Sequence, residues 1–266
     1  MTIVAGIAGQ PIAHSLSPLV HGAWIAAAGL DAVYQAFGPA DAAGFAALMD
    51  EGRAGRLRGL NVTAPFKGQA LAMADQVSAT ARACGSSNLL VFEEGRILAD
   101  STDGFGLLAA LAQQAPVLDL AGRPVVVLGA GGAARAAAAA LKGAGALVGV
   151  LNRTQARAEA LAADLDVSVA GPEAVGDAAL VVNALSVPPQ IDVADLREDA
   201  VLMDMTYRPL TTPFLAAGRA RGLTTVDGLA MLIGQARPSF RALFGIEPPL
   251  ATDVRALALQ AIGEAG

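Results

Sequence analysis

Between the β-branched run Pro124-Val125-Val126-Val127-Leu128 and an alanine-rich stretch ending near Lys142 stands Gly129-Ala130-Gly131-Gly132-Ala133-Ala134. This fits G-x-G-x-x-A. The first glycine permits a tight turn out of a strand, and the second lets backbone approach a pyrophosphate. The small Ala134 allows close helix–strand packing, and the helix N-terminus stabilises the anion. In a chain rich in Ala and Gly the pattern alone also suits a plain tight turn. A strand before it and a helix after it favour the dinucleotide reading. About 20 residues further on, an NAD site needs an acid for the ribose 2′-hydroxyl. Here the chain reads Asn152-Arg153-Thr154, with Arg157 one helical turn later and no acid before Glu159. Two guanidinium groups and a hydroxyl suit a 2′-phosphate, which a carboxylate would repel, so the stretch favours NADP. The alternative makes Arg153 and Arg157 solvated charges and Thr154 a helix cap.

Two further clusters lie in the first half. In Gly9-Gln10-Pro11-Ile12-Ala13-His14-Ser15-Leu16-Ser17-Pro18, an extended backbone points Ser15 and Ser17 to one side. Two parallel hydroxyls can hold one carboxylate. Pro18 suits the first position of a helix, so Ser17 is alternatively its N-cap. Capping accounts for Ser17 but not for Ser15, and neither reading calls for His14. In Asn61-Val62-Thr63-Ala64-Pro65-Phe66-Lys67, Asn61 and Thr63 share a strand face and Lys67 falls in the first turn of the next helix. Lys67 and Lys142 are the only lysines; arginine supplies the other basic groups. A lysine kept where arginine is habitual points to a proton that can be lost, and a helix N-terminus disfavours the ammonium form. An ordinary surface lysine is the alternative.

These clusters need elements to position them. In the second half, strands are expected at residues 124–128, 146–151, 180–183, 201–205 and 224–226, alternating with helices. Such alternation gives a doubly wound parallel sheet. The first hundred residues also alternate: strands at 3–7, 32–37 and 60–63, helices at 18–28, 40–49 and 66–74, then a hairpin from 88–92 and 96–99. The closing helices, 229–244 and 252–262, have no following strand and are expected to return to the first domain. The expected architecture is two α/β domains, one of residues 1–102 plus 236–266, the other of 103–235.

Composition narrows the function classes. The 266 residues are 54% hydrophobic and 16% charged, with net charge −6, so a core is assured and a basic nucleic-acid surface is not expected. Cys84 is alone, and His14 and His21 are the only histidines, so neither a disulfide nor an ordinary metal centre is expected. The first 30 residues carry no charge. They lack the basic start of a signal peptide, and the polar loop interrupts any membrane span, so the expected location is the cytoplasm.

The motifs in order resemble the shikimate dehydrogenase family. Its G-x-P-I-x-H-S-x-S-P loop matches Gly9 to Pro18, and its N-V-T-x-P-x-K segment matches Asn61 to Lys67. The G-A-x-N-T turn, N-T-D-G, G-A-G-G-A-x-x-A, N-R-T, D-M-x-Y-x-P and D-G-x-x-M-L-x-x-Q follow as far as Gln235. The resemblance implies a substrate-binding domain and a Rossmann-like NADP domain with a cleft between them. It implies reversible hydride transfer between NADPH and the C3 carbonyl of 3-dehydroshikimate, giving shikimate, by a monomer or homodimer. Ser15 and Ser17 resemble the residues that hold the substrate carboxylate, with Tyr207 near it. Thr63, Asn88 and Gln235 resemble those that bond the ring hydroxyls. Lys67 and Asp103 resemble the catalytic pair: Lys67 exchanges the proton at oxygen, and Asp103 orients Lys67 and a hydroxyl. Asp103 also reads as N-cap of a helix beginning at Gly104. Gly129, Ala130, Gly131, Gly132 and Ala133 resemble the pyrophosphate loop. Asn152, Arg153, Thr154 and Arg157 resemble the adenosine-phosphate pocket, and Met205 and Gly228 positions lining the nicotinamide.

The chain departs from the family pattern at four places. Leu89 follows Asn88 where Thr is usual, Ser101 replaces Asn, Leu185 replaces Thr, and Gly22 follows His21 where Asn or Gln is usual. These leave the reaction class in place and bear on the substrate. The alternatives are a paralogue acting on quinate or a related hydroxy acid, an NAD-using enzyme of that type, and a non-catalytic NADP-binding sensor. The basic stretch at Arg153 argues against NAD, and the presence of both Lys67 and Asp103 argues against the sensor.

Overall fold

The structure, a computed structural model, describes residues 2–263. Apolar runs fold into two six-stranded sheets, one in each of two compact units. One unit is the chain up to Thr102 together with Gln235 onward; the other is Asp103–Gly234.

The first unit begins with β1 (Ile3–Ala8), α1 (Ser17–Ala28), β2 (Ala32–Phe37), α2 (Ala42–Arg53), β3 (Gly59–Val62) and α3 (Lys67–Ala72). Then come β4 (Gln76–Val77), α4 (Ala79–Cys84), β5 (Leu89–Glu93) and β6 (Arg96–Asp100). The sheet order is β2-β1-β3-β5-β6-β4. β1 pairs in parallel with β2 and β3, whereas β5 pairs antiparallel with β3 and β6, so this sheet is mixed. The expected hairpin forms around Glu94 and Gly95, both at positive φ. The short pieces β4 and α4 were not expected. Ser78 caps α4 by accepting from the Ala81 N–H at 3.0 Å.

The second unit holds α5 (Asp103–Gln114), β7 (Pro124–Leu128), α6 (Gly132–Gly143), β8 (Leu147–Leu151), α7 (Gln155–Leu165), β9 (Ser168–Val169) and α8 (Ala174–Asp177). It continues with β10 (Leu180–Asn183), β11 (Val201–Asp204), α9 (Pro213–Ala220) and β12 (Thr224–Val226). All six strands are parallel in the order β12-β11-β10-β7-β8-β9. This is the doubly wound dinucleotide-fold order, with the reversal between β7 and β10. Val125, Val127, Leu180 and Val182 are buried in its core, as strands covered on both faces must be. Full burial of each such side chain stabilises by roughly 1.5–3 kcal/mol. The short edge strand β9 and helix α8 were not expected from the sequence.

The chain then enters α10 (Gly228–Phe244) and α11 (Val254–Ala261). Helix α11 lies against α1. Phe240 stacks with His21 and meets Trp24 edge-on, with ring centroids 5.9 and 5.5 Å apart.

Three local expectations are corrected. The backbone through Ser15–Ser17 is a turn, not an extended segment: Leu16 is α-helical in φ and ψ, and the Ser15 N–H bonds Ile12 O at 3.0 Å. Ser17 is the first helical residue rather than the cap, and Ser15 Oγ accepts its N–H at 3.3 Å. Asp103 likewise opens α5 as its first residue rather than capping it.

Candidate active site

The end of β7 begins the nucleotide-binding candidate. Gly129 has φ +116°, which L side chains rarely adopt, and a methyl there would lie 3.1 Å from Leu185 Cδ2. Leu185 follows β10, on the other side of the strand-order reversal, where such folds bind ligands. Gly131 caps α6 in an extended conformation, and a methyl on Gly131 or Gly132 would meet nothing within 4 Å. Ala130 is half-buried and Ala133 exposed, whereas Ala134 is fully buried in the core. The first turn of this twelve-residue helix therefore offers bare N–H groups and no acidic side chain. That arrangement fits a pyrophosphate.

At the end of β8, Asn152 Nδ2 donates to Thr154 O at 2.9 Å and shapes the turn. Thr154 occupies the N-cap position of α7, but its hydroxyl makes no capping bond. Arg153, Thr154 and Arg157 are all exposed. Among the described residues neither arginine pairs with a carboxylate, whereas Arg135, Lys142 and Arg197 pair with Asp164, Asp166 and Asp199. Glu159, the nearest acid, accepts from Gln155 at 2.8 Å. Two uncommitted guanidinium groups in an acidic protein fit a 2′-phosphate.

The ends of β10 and β11 are tied by buried polar bonds. Asp204 accepts from Asn183 Nδ2 at 3.0 Å, Thr212 Oγ1 at 2.8 Å and the Thr206 N–H at 2.9 Å. Met205 follows, its N–H on Asn183 O at 3.0 Å. Helix α10 starts against it: a methyl on Gly228 would lie 2.6 Å from Met205 O, so only glycine fits. The structure thus brings Met205 and Gly228 together. Asp227 holds this start by accepting from the Ala230 N–H at 2.9 Å and from Gln114 Nε2 at 2.8 Å. Tyr207 is half-buried in the loop after β11, and burial raises its hydroxyl pKa against an opposing effect of Arg208.

In the first unit, Ser15 is half-buried and Ser17 buried, joined by the turn described above. Thr63 follows β3, its N–H on Ala8 O at 2.9 Å. Lys67 opens α3, and its carbonyl accepts the Ser87 N–H at 3.0 Å. That bond ties the lysine's backbone to the loop that carries Asn88. Asn88 is buried and places Nδ2 3.1 Å from Thr102 Oγ1 and 3.4 Å from Gln235 Oε1. Gln235, which the sequence assigned to the other domain, falls in this unit and meets Asn88 here. Asp103 is buried at the first position of α5, and Tyr207 also lies in the second unit.

Sequence reasoning missed Thr102, which meets the Asn88 amide, and Ser239, which meets Thr102 and Asn61. Ser239 lies one helical turn beyond Gln235, the only signal that could have found it. Among the described residues no group of His, Cys, Asp or Glu could hold a metal, and no helix is long and apolar enough to cross a membrane.

The family profile described as shikimate dehydrogenase substrate binding domain matches residues 7–90, and that described as shikimate / quinate 5-dehydrogenase matches residues 110–198. The chain belongs to the shikimate dehydrogenase family. A shikimate dehydrogenase (NADP(+)) of Caulobacter vibrioides is 51% identical over 98% of this chain and 96% of that protein. The crystal structure of a family member from Thermus thermophilus, shikimate 5-dehydrogenase in complex with NADP(H) and shikimate, is 37% identical with a TM-score of 0.90. It covers 98% of this chain and 100% of that one. A quinate dehydrogenase from Corynebacterium glutamicum in complex with NAD is 30% identical with a TM-score of 0.88, over 97% and 99% of the two chains. The similar solved structures thus include one in complex with NADP(H) and shikimate and one quinate dehydrogenase in complex with NAD.

Proposed function

We propose that the protein is an NADP-dependent oxidoreductase of the cytoplasm that reversibly reduces 3-dehydroshikimate to shikimate, a step toward chorismate and the aromatic amino acids. The observation that carries the cofactor choice is the exposed, unpaired Arg153 and Arg157 after β8. The first unit binds substrate and the second binds the cofactor. Gly129, Ala130, Gly131, Gly132 and Ala133 hold the pyrophosphate; Asn152, Arg153, Thr154 and Arg157 hold the adenosine phosphate; Met205 and Gly228 line the nicotinamide. When bound, NADPH supplies the hydride that reduces the ring carbonyl.

Ser15 and Ser17 bind the substrate carboxylate, with Tyr207 assisting. Thr63, Asn88 and Gln235 bond the ring hydroxyls. Lys67 gives the proton to the carbonyl oxygen on reduction and takes it back on oxidation, and Asp103 acts with it as the second catalytic group.

Arg153→Ala should weaken NADP binding by roughly 1–3 kcal/mol, the usual worth of a charge-assisted hydrogen bond, and leave NAD binding nearly unchanged. Titration of both cofactors decides; equal losses would refute this pocket and restore the NAD-using reading. The Ser15→Ala/Ser17→Ala double variant should raise KM for shikimate more than for an uncharged analogue without the carboxylate. Equal effects on both would make the serines structural, with Ser15 serving only the turn into α1.

A further inference from the structure

Six residues of the first unit form one hydrogen-bonded chain, and its chemistry fixes the orientation of both asparagine amides. A main-chain carbonyl only accepts. Asn88 O therefore requires Nδ2 of Asn61, 3.0 Å away, and Asn61 Oδ1 is left to accept from the Tyr34 hydroxyl at 2.8 Å. By the same rule Gln235 O, 3.1 Å from Ser239 Oγ, takes the serine's one proton. Ser239 then has only lone pairs to offer; it accepts from Asn61 Nδ2 at 2.9 Å and stands 3.3 Å from Thr102 Oγ1. Thr102 Oγ1 lies 3.3 Å from both Ser239 Oγ and Asn88 Oδ1, either of which can take its proton, and it accepts from Asn88 Nδ2 at 3.1 Å. The main chain decides which end of the Asn88 amide is which. The Thr102 N–H only donates, so the Asn88 atom 2.8 Å from it must be Oδ1. Ser239 is fully buried, and Asn88 and Thr102 are nearly so, which makes each mismatched pair costly.

We infer that Ser239 and Asn61 are positioning residues that fix the Asn88 amide with its carbonyl tied down and its NH2 presented, so that Asn88 recognises a substrate hydroxyl as a donor. The recognition role rests on the substrate reading proposed above. The contact of Asn88 Nδ2 with Gln235 Oε1, at 3.4 Å, is longer than the bonds between Asn88 and Thr102. It is the bond a hydroxyl oxygen replaces most cheaply. The hydroxyl keeps its own proton for another acceptor, so a ring ether or ketone oxygen at that position would be accepted where a bare C–H would not.

The test is a double-mutant cycle on the full-length enzyme with shikimate and NADP+. Ser239→Ala should lower kcat/KM for shikimate roughly 3–12-fold, the equivalent of one neutral hydrogen bond, with NADP+ affinity unchanged. Placed on Asn88→Ala, the same substitution should cost nothing further, since the group it positions is gone. Additive losses would overturn the inference, as would a Ser239→Ala enzyme of unaltered kcat/KM. A second measurement needs no substrate. The Asn88 side-chain NH2 resonance, assigned by its loss in Asn88→Ala, should move in Ser239→Ala, and an unmoved resonance overturns the inference too. Failure of the unmodified enzyme to turn over shikimate would instead remove the functional reading, while the resonance still decides the positioning.

Discussion

Replacing Lys67 with alanine should lower kcat by about 10²–10⁴-fold, the usual cost of losing a general acid–base group. KM for shikimate should change much less, because the proton is needed mainly in the transition state. Lys67→Arg should not rescue the rate, since guanidinium does not release its proton at working pH. NADPH binding should be unaltered in both variants, because Lys67 and the proposed cofactor residues belong to different units. Lys67 stands at the first position of α3, and its carbonyl is anchored to the chain just before Asn88. Its backbone is therefore set by structure that survives the substitution. Near-normal kcat in Lys67→Ala would sink the mechanism and revive the cofactor-binding sensor. A large loss of NADPH affinity would mean that the lysine supports the cofactor site.

The second large effect concerns acid stability. His21 is 1% exposed, stacked on Tyr34 with ring centroids 4.1 Å apart, and its Nδ1 has no partner. Burial lowers its pKa to about 3. Tyr34 is itself held neutral by burial, and Arg237 lies over the Trp24 ring, 5.7 Å from its centroid. Among the described residues no carboxylate favours the imidazolium. Unfolded, His21 takes up a proton below its ordinary value near 6.5. Between that value and about 3 the unfolded state binds more protons, so stability falls as pH falls. By pH 4 the loss should be roughly 3 kcal/mol, at about 1.4 kcal/mol per unit. Denaturant unfolding at pH 7, 5 and 4 measures it. His21→Phe keeps a ring in the stack and should flatten the curve between pH 5 and 6.5, above the carboxylate range. An unchanged slope there would show that His21 is not the group responsible.

How far the sequence carried depends on the range of the interactions. The Gly129 loop and the strands at 124–128, 180–183 and 224–226 are local patterns, and the structure has them at those residues. The unexpected pieces β4 and β9 have two residues each and are polar or exposed, too short to show a period. The Ser15–Ser17 turn defeated a strand-periodicity argument because one helical residue, Leu16, reverses the side-chain alternation. Asn61 was noticed for its place on a strand face, but Ser239 stands 178 residues away and is joined to it only by folding. His21 falls within the helix expected at 18–28, and its isolation arises from rings brought by β2 and α10.

The order in which synthesis delivers these parts follows from the same connections. Asp103–Gly234 is one uninterrupted segment, so every strand of its sheet has been synthesised before the ribosome reaches α11. The first unit is different. Its six strands are made first, yet Phe240 and Phe244 close over His21, and α11 covers α1, only once α10 and α11 have left the exit tunnel. The unit begun before the other is therefore completed after it. Until then helix α1 carries Trp24 and His21 without that cover, a surface for chaperones to shield during translation.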